Sequence, residues 1–344
     1  MKRIARSAFF LLLIAGVLGY FYAYKPVFGP NVNLDSGESE REFFINTGMT
    51  YDEIGRKLLE EKIIVNAKSF HRVAEYMNYP NHVYPGRYII KDGWNNRELV
   101  GLLRSGKQAP IEFTFVKFRT KEEAATHVSE RLEMTEEQIL NILTNKSFLR
   151  KLAKLTPDNV LAIFIPNTYE MYWDISPEKF LERMYKEYRT FWNEGRNDRR
   201  ESLKLDRLEV MTLASIVEEE TNKVDERPSV AGLYLNRIRK NWKLEADPTV
   251  KYAVGDFGLR RILNSHLEVD SPYNTYKYQG IPPGPICTPS IPSIEAVLNE
   301  EEHDYMYMCA RADGSGYHHF SETLNEHLAY AKEYHRMLNR EGIK

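Results

Sequence analysis

The longest apolar run in the chain, residues 7–24, follows Lys2, Arg3 and Arg6 and closes on Tyr20, Phe21, Tyr22 and Tyr24. About 18 residues is at the short end for a helix that crosses hydrocarbon. The aromatic cluster suits the far interface, and the pattern predicts one membrane span over 7–24. A cleaved signal peptide competes with this reading, but no small-x-small cleavage site follows the run. Basic residues stay on the cytoplasmic side. Residues 1–6 are therefore expected as a cytoplasmic tail, and everything after Lys25 as extracytoplasmic.

Beyond the span the period changes. The polar stretch 29–41 reads as a tether, giving a linker over 25–41. Residues 42–46 alternate like a strand, and Thr50 with Glu53 forms a capping box for a helix to about 61. A second helix is predicted over 67–77, a returning strand over 86–90 and a further helix over 96–105. This strand-helix-helix-strand order, within a subdomain spanning 42–108, resembles the glycan-binding LysM module.

The remaining residues, 109–344, read as a larger mixed domain, so the fold class expected is α+β with a single N-terminal span. A strand over 111–118 carries Phe113, Phe115 and Phe118. Helices are expected over 121–131, 135–144, 146–154, 177–193 and 228–240, with a short buried run at 161–165 ended by Pro166. From 241 onward the chain is rich in Pro and Gly, and loops with short strands are expected to dominate until a last helix over 325–340. Long irregular segments inside a compact domain are usually functional.

Residues 206–217 combine a capping signature, Asp206 and Glu209, with almost no polar face, which predicts a buried helix. It ends in Glu218, Glu219 and Glu220. Winding at about 100° per residue puts Glu219 beside Thr212, the solvated side. Glu218 falls between Met211 and Ala214, and Glu220 between Leu213 and Ile216. A carboxyl among methyl groups has its pKa raised, because desolvation disfavours the anion, and so becomes a proton donor near neutral pH. Periodicity leaves Glu218 and Glu220 equivalent. The bland alternative is a charged helix end, its flanking glutamates salt-bridged to Lys223 or Arg227.

Composition narrows the classes. Charged residues make up 28% and hydrophobic ones 42%, as in an ordinary soluble ectodomain. Without Lys2, Arg3 and Arg6 the formal charge of −2 becomes −5, which gives no electrostatic reason to hold nucleic acid. Cys287 and Cys309 are the two cysteines; in an exported chain they form either a disulfide or two buried thiols. Adjacent His318 and His319 point to different sides of a strand or helix, phosphate-cradling loops are absent from the sequence, and neither metal nor cofactor is expected.

Six segments then occur in order: 214–221 (Ala-Ser-Ile-Val-Glu-Glu-Glu-Thr), Asn236-Arg237, 246–250 (Ala-Asp-Pro-Thr-Val), 271–276 (Ser-Pro-Tyr-Asn-Thr-Tyr), 280–286 (Gly-Ile-Pro-Pro-Gly-Pro-Ile) and His319-Phe320-Ser321. Together they resemble the endolytic murein transglycosylases, the MltG or YceG-like family, and the resemblance takes in the anchor and the LysM-like unit. It implies lytic cleavage between N-acetylmuramic acid and N-acetylglucosamine in nascent peptidoglycan strands, leaving 1,6-anhydro ends and terminating elongation. It further implies Glu218 as the catalytic acid, peptidoglycan synthases as partners and an inner-membrane location.

Candidate substrate contacts accompany that implication. Asn274 is suited to an N-acetyl group, and Tyr273 or Tyr276 to stacking on a sugar face; a turn capped by Asn274 is the structural alternative. Asp247 either binds substrate or caps the next helix. Thr249, Ser215 and His319 complete the set, His319 with a structural alternative of its own. Relatives usually carry a Glu-Gly pair and a Pro-Asp-Thr-Tyr run ahead of the catalytic helix, whereas Leu161 and Asn167 stand here in place of the acids. A hydrolase and a non-catalytic envelope scaffold that holds glycan near a synthesis complex are the competing functions.

Overall fold

The computed structural model describes residues 2–259 and 261–340, of which 2–8 as backbone. The side chains of Lys2, Arg3 and Arg6, which carry the orientation expectation, lie outside the described residues, as do Met1 and 341–344. The apolar run forms a helix, Lys2–Gly19, that passes through one π-helical turn, Tyr20–Tyr24, into a last α-turn, Lys25–Phe28. Phe9–Phe28 is long and apolar enough to cross a membrane, and none of it is buried.

The chain divides into two compact units. The first comprises residues 1–113 with two later segments, 131–133 and 169–175. Strands Glu40–Ile45 and Gly86–Lys91 pair antiparallel, Phe43 opposite Tyr88. Between them lie helices Tyr51–Glu60 and Ala67–Tyr76, and Asn96–Ser105 follows. The order of elements is the one read from the pattern, and the Thr50–Glu53 capping box is formed. Phe43, Ile45, Ile54, Leu58, Phe70, Tyr88 and Leu99 share one core.

Residues 29–41 are not a free tether. Asn31, Val32 and Leu34 are buried, and the Asn31 side chain donates to Asn96 Oδ1 at 2.6 Å while accepting from Asn66 N at 2.8 Å. The Asn-Val-Asn-Leu alternation at 31–34 was the signal, obscured by its polar, Gly- and Pro-containing surroundings. The later segments join this unit through Glu133, which accepts from Thr47 N and Oγ1 at 2.5 and 2.7 Å, and through Trp173, whose ring lies 4.9 Å from that of Phe44.

The second unit is mainly helical. The strand expected over 111–118 ends earlier, as Ile111–Thr114, and its pairing with Thr168–Met171 falls largely in the first unit. Beyond it Phe118 N donates to Thr288 Oγ1 at 2.8 Å and accepts Thr288 N through its carbonyl at 2.8 Å, so the extended chain bonds a loop in place of a strand. The predicted helices appear as Lys121–Ser129, Glu136–Thr144, Lys146–Ala153, Pro177–Phe191 and Arg227–Arg239. The buried run 161–165 is largely a 3₁₀ turn, Val160–Ile163.

Loops do not dominate after 241 to the extent expected. Helices Asp247–Val254 and Ile291–Leu298 both pack on the helix Arg207–Glu220, which is the centre of this unit. Their brevity and their prolines, at the second position of each, masked them; proline is tolerated there because the first-turn N–H groups have no helical partner. A hairpin, Tyr307–Ala310 with His318–Ser321, and the last helix, Leu324–Arg340, complete the unit.

Candidate active site

The helix Arg207–Glu220 begins at the predicted capping box, with Asp206 accepting from Glu209 N at 2.8 Å and Glu209 accepting from Asp206 N at 2.7 Å. Val210 through Val217 are buried. At its end the three glutamates diverge into separate environments.

Glu218 turns inward, but not onto methyl groups. Its carboxylate accepts from the hydroxyls of Ser290 and Ser293 and from Arg227, whose Nη1 lies 3.1 Å away. Burial works against the anion here, yet the two hydroxyls and the guanidinium outweigh it and hold the carboxyl below its ordinary value. The expected raised pKa at Glu218 is therefore corrected: helical winding identifies the neighbours on its own helix, not the Ser-containing helix packed over it.

Glu219 was expected in solvent. It instead pairs with Lys117 and Arg119, each at 2.9 Å, and these cations overcome its burial and lower its pKa.

Glu220 is the carboxyl whose pKa is raised, to about 7. Burial is the main cause, the charge of Asp247 adds to it, and the hydrogen bond from Tyr234 only partly opposes it. Tyr234 Oη donates to Glu220 Oε1 at 2.5 Å, and burial raises the phenol's own pKa well above normal, so it remains a donor.

Glu220 lines a cavity of about 440 Å³. Tyr234 and Arg237 enter it from the helix Arg227–Arg239, Asp247 and Tyr276 from the Pro-rich segments, Cys309 and His318 from the hairpin, and His327 from the last helix. Arg237 is fixed by donating Nε to Met306 O at 2.9 Å. His318 Nδ1 lies 2.9 Å from Glu226, which also accepts from Thr221 Oγ1 at 2.9 Å, so the end of the carboxylate helix and the hairpin are tied through one acid.

Of the expected substrate contacts, Asp247 and Tyr276 reach this cavity, and Tyr276 Oη donates to Asp247 Oδ1 at 2.7 Å. Asp247 occupies the first helical position with Ala246 as the cap residue, so it does not cap. The others are turned to structural ends. Asn274 is fully buried, donates to Leu267 O and Val269 O, and accepts from Tyr276 N, which is the capped turn. Tyr273 Oη donates to Asp158 O at 3.0 Å and its ring packs on Tyr252 at 4.6 Å. Thr249, fully buried, bonds Ala246 O and Thr275.

Ser215 accepts from Ile286 N at 3.0 Å and so clasps the Pro-rich segment to the carboxylate helix. His319 stacks on Tyr330 at 4.2 Å, while its neighbour His318 faces the cavity. Strand alternation separates the two, as expected, but does not say which faces inward. Cys287 and Cys309 are free thiols, the first buried against Ser215 O. Leu161 is buried and Asn167 bonds its own neighbour Thr168 N; neither lines the cavity.

Sequence reasoning missed Tyr234, Arg237 and His318. The Asn236-Arg237 pair was a partial signal. Asn236 donates to His303 O at 2.6 Å and, with Arg237, secures the chain entering the hairpin.

Residues 43–333 match the YceG-like family. The chain belongs to that family. Among its relatives is an endolytic murein transglycosylase of Bacillus subtilis (strain 168), 28% identical over 305 residues that cover 84% of this chain and 83% of the relative. The endolytic murein transglycosylase of Streptococcus pneumoniae serotype 2 is 25% identical over 331 residues, 88% of this chain but 59% of that longer protein. A crystal structure of a yceG-like protein from Listeria monocytogenes superposes with a TM-score of 0.56 at 28% identity, covering 85% of this chain and 98% of that one.

Proposed function

We propose that this YceG-like protein is a membrane-anchored lytic transglycosylase that cuts peptidoglycan glycan strands, with Glu220 as its acid. The observation that carries this reading is a carboxyl with a pKa raised to about 7 on the wall of a cavity whose other polar groups include phenols, an arginine, two histidines and the acids Asp247 and Glu245. The names of the curated relatives, endolytic murein transglycosylase, supply the substrate class.

In this mechanism protonated Glu220 donates to the glycosidic oxygen as the bond from the anomeric carbon of N-acetylmuramic acid breaks. The resulting carboxylate then removes the proton from the same sugar's C6 hydroxyl, whose oxygen bonds the anomeric carbon to give the 1,6-anhydro end. Glu220 is regenerated and no water is consumed. The nucleophile is intramolecular, so one carboxyl suffices where hydrolases use two. Asp247, oriented by Tyr276, supplies negative charge toward the oxocarbenium-like state, and Tyr234 steadies Glu220 in both protonation states. Glu218 takes the structural part, anchoring the helix end to Ser290, Ser293 and Arg227.

Phe9–Phe28 serves as a single-pass anchor in the inner membrane, with the N-terminus cytoplasmic and both units outside. The small unit, LysM-like in its order of elements, holds glycan. Cutting nascent strands beside their synthases terminates elongation.

Digestion of purified sacculi by the full-length protein tests the reading. Anhydro ends, lighter by one water than reducing ends in mass spectra, are expected from the wild type and absent from Glu220→Gln. Reducing ends would make it a hydrolase, and glycan binding without release would make it a scaffold.

A further inference from the structure

A second cavity, of about 650 Å³, lies where the apolar N-terminal helix meets the small unit. We propose that it binds one anionic phospholipid of the leaflet in which the span ends. The inference rests on reading Phe9–Phe28 as a membrane span.

One wall is the span itself, through Tyr22 and Val27, and the opposite wall is Val73 of the helix Ala67–Tyr76 with Met77, the residue that caps its C-terminus. Because these span residues are its last two turns, the groove stands at the level where hydrocarbon gives way to headgroups. Tyr76 beside it is 88% exposed, an arrangement suited to an interface and wasteful in water.

Two arginines border the groove. Arg72 Nη1 donates to Tyr22 O at 3.1 Å, and the Arg97 guanidinium sits 5.7 Å over the Phe28 ring. Among the described residues neither is paired with a carboxylate, and no acid lines the groove. Guanidinium groups are permanently charged and match phosphate oxygens in bidentate geometry. The site therefore offers two cations to a phosphate and an apolar trough to what is attached to it. A free phosphate would leave the trough unused, a sugar would find few acceptors, and another apolar span would have to desolvate both arginines. A phospholipid satisfies both halves, its phosphate between Arg72 and Arg97 and its upper acyl segment along Val27, Val73 and Met77.

The test uses the full-length chain in nanodiscs of phosphatidylcholine alone or mixed with phosphatidylglycerol, followed by native mass spectrometry of the released protein. The wild type should retain one phosphatidylglycerol in preference to phosphatidylcholine by on the order of tenfold, as expected for two basic groups near an anionic surface. The Arg72→Gln/Arg97→Gln double variant should lose that preference. Lys62→Gln/Lys107→Gln, a charge-matched change at exposed positions of the same unit, should keep it. Equal retention of the two lipids by the wild type overturns the proposal without reference to any variant's folding. Persistence in the arginine variant, or loss in the lysine variant, overturns it also. Failure of the protein to enter either disc overturns the span reading, and this inference with it.

Discussion

At the scale of single residues, three consecutive glutamates meet three different environments, and the environment decides what each can do. Glu220→Gln should abolish anhydro-end formation by about a thousandfold or more while leaving the thermal midpoint unchanged or raised at neutral pH. Glu218→Gln should act differently, because it strips the charge partner from nearly buried Arg227. A stability loss of about 3 kcal/mol, read in denaturant melts, should accompany any loss of activity.

The pH dependence follows from signs. Glu220 has a folded-state pKa raised from 4.5 to about 7, so in the window between those values the unfolded chain has already lost the proton that the folded chain keeps. Its contribution to stability is thus present in full below about 4.5 and lost as pH rises through about 7. Activity that needs the acid form should fall over the upper part of the same window. Glu220→Gln should flatten the stability slope there, as checked by melts at a series of pH values.

What was legible here was the cluster and its buried helix, since both depend on nearest neighbours along one helix. The choice between Glu218 and Glu220 was not, because Ser290, Ser293 and Tyr234 come from elements 14 to 75 residues away. The resemblance implies Glu218 and the environments of the two carboxyls favour Glu220, a choice that the two glutamine variants decide.

At the scale of elements, the Pro-rich segment 280–286 is held by contacts that leave no slack. Gly284 sits so close to Asp158 and Asn159 that an added Cβ would lie 2.4 Å from the Asp158 carbonyl oxygen and 3.0 Å from Asn159 Cα. Both are backbone atoms that cannot swing aside. Gly284→Ala should cost roughly 1–3 kcal/mol and, by shifting the segment clasped through Ser215, reduce turnover as well, measured as a paired loss of melting temperature and rate. Capping boxes and amphipathic helices such as Tyr51–Glu60 were readable because their signals are local. The helices Asp247–Val254 and Ile291–Leu298 were not, being eight residues each, too short for periodicity to rise above a Pro- and Gly-rich background. Packing on the carboxylate helix, more than intrinsic propensity, accounts for them.

At the scale of the molecule, the boundary inferred at residue 108 misses how the first unit is completed. It borrows 131–133 and 169–175 from later in the chain, bringing the Glu133 carboxylate to Thr47 and the Trp173 ring to Phe44. A chain ended after residue 108 should therefore be less stable than the same unit in the full-length protein, by roughly 2–4 kcal/mol from the lost charged hydrogen bonds and aromatic contact. Hydrogen exchange of the strand amides in both chains would measure it. Sequence pattern could not supply those segments, because each is short and sits among residues that belong to the other unit.

The π-helical turn at Tyr20–Tyr24 acts as a vernier. A regular α-helix advances about 100° per residue, whereas a wider turn slips the phase of everything that follows it. Since Pro26 and Tyr22 carbonyls are bonded to Asn96 and Arg72, that phase is handed directly to the first unit, which has no swivel in which to lose it. Removing one residue from the turn would swing the apolar helix before it to a new compass bearing about its axis, with the bonded carbonyls left where they are.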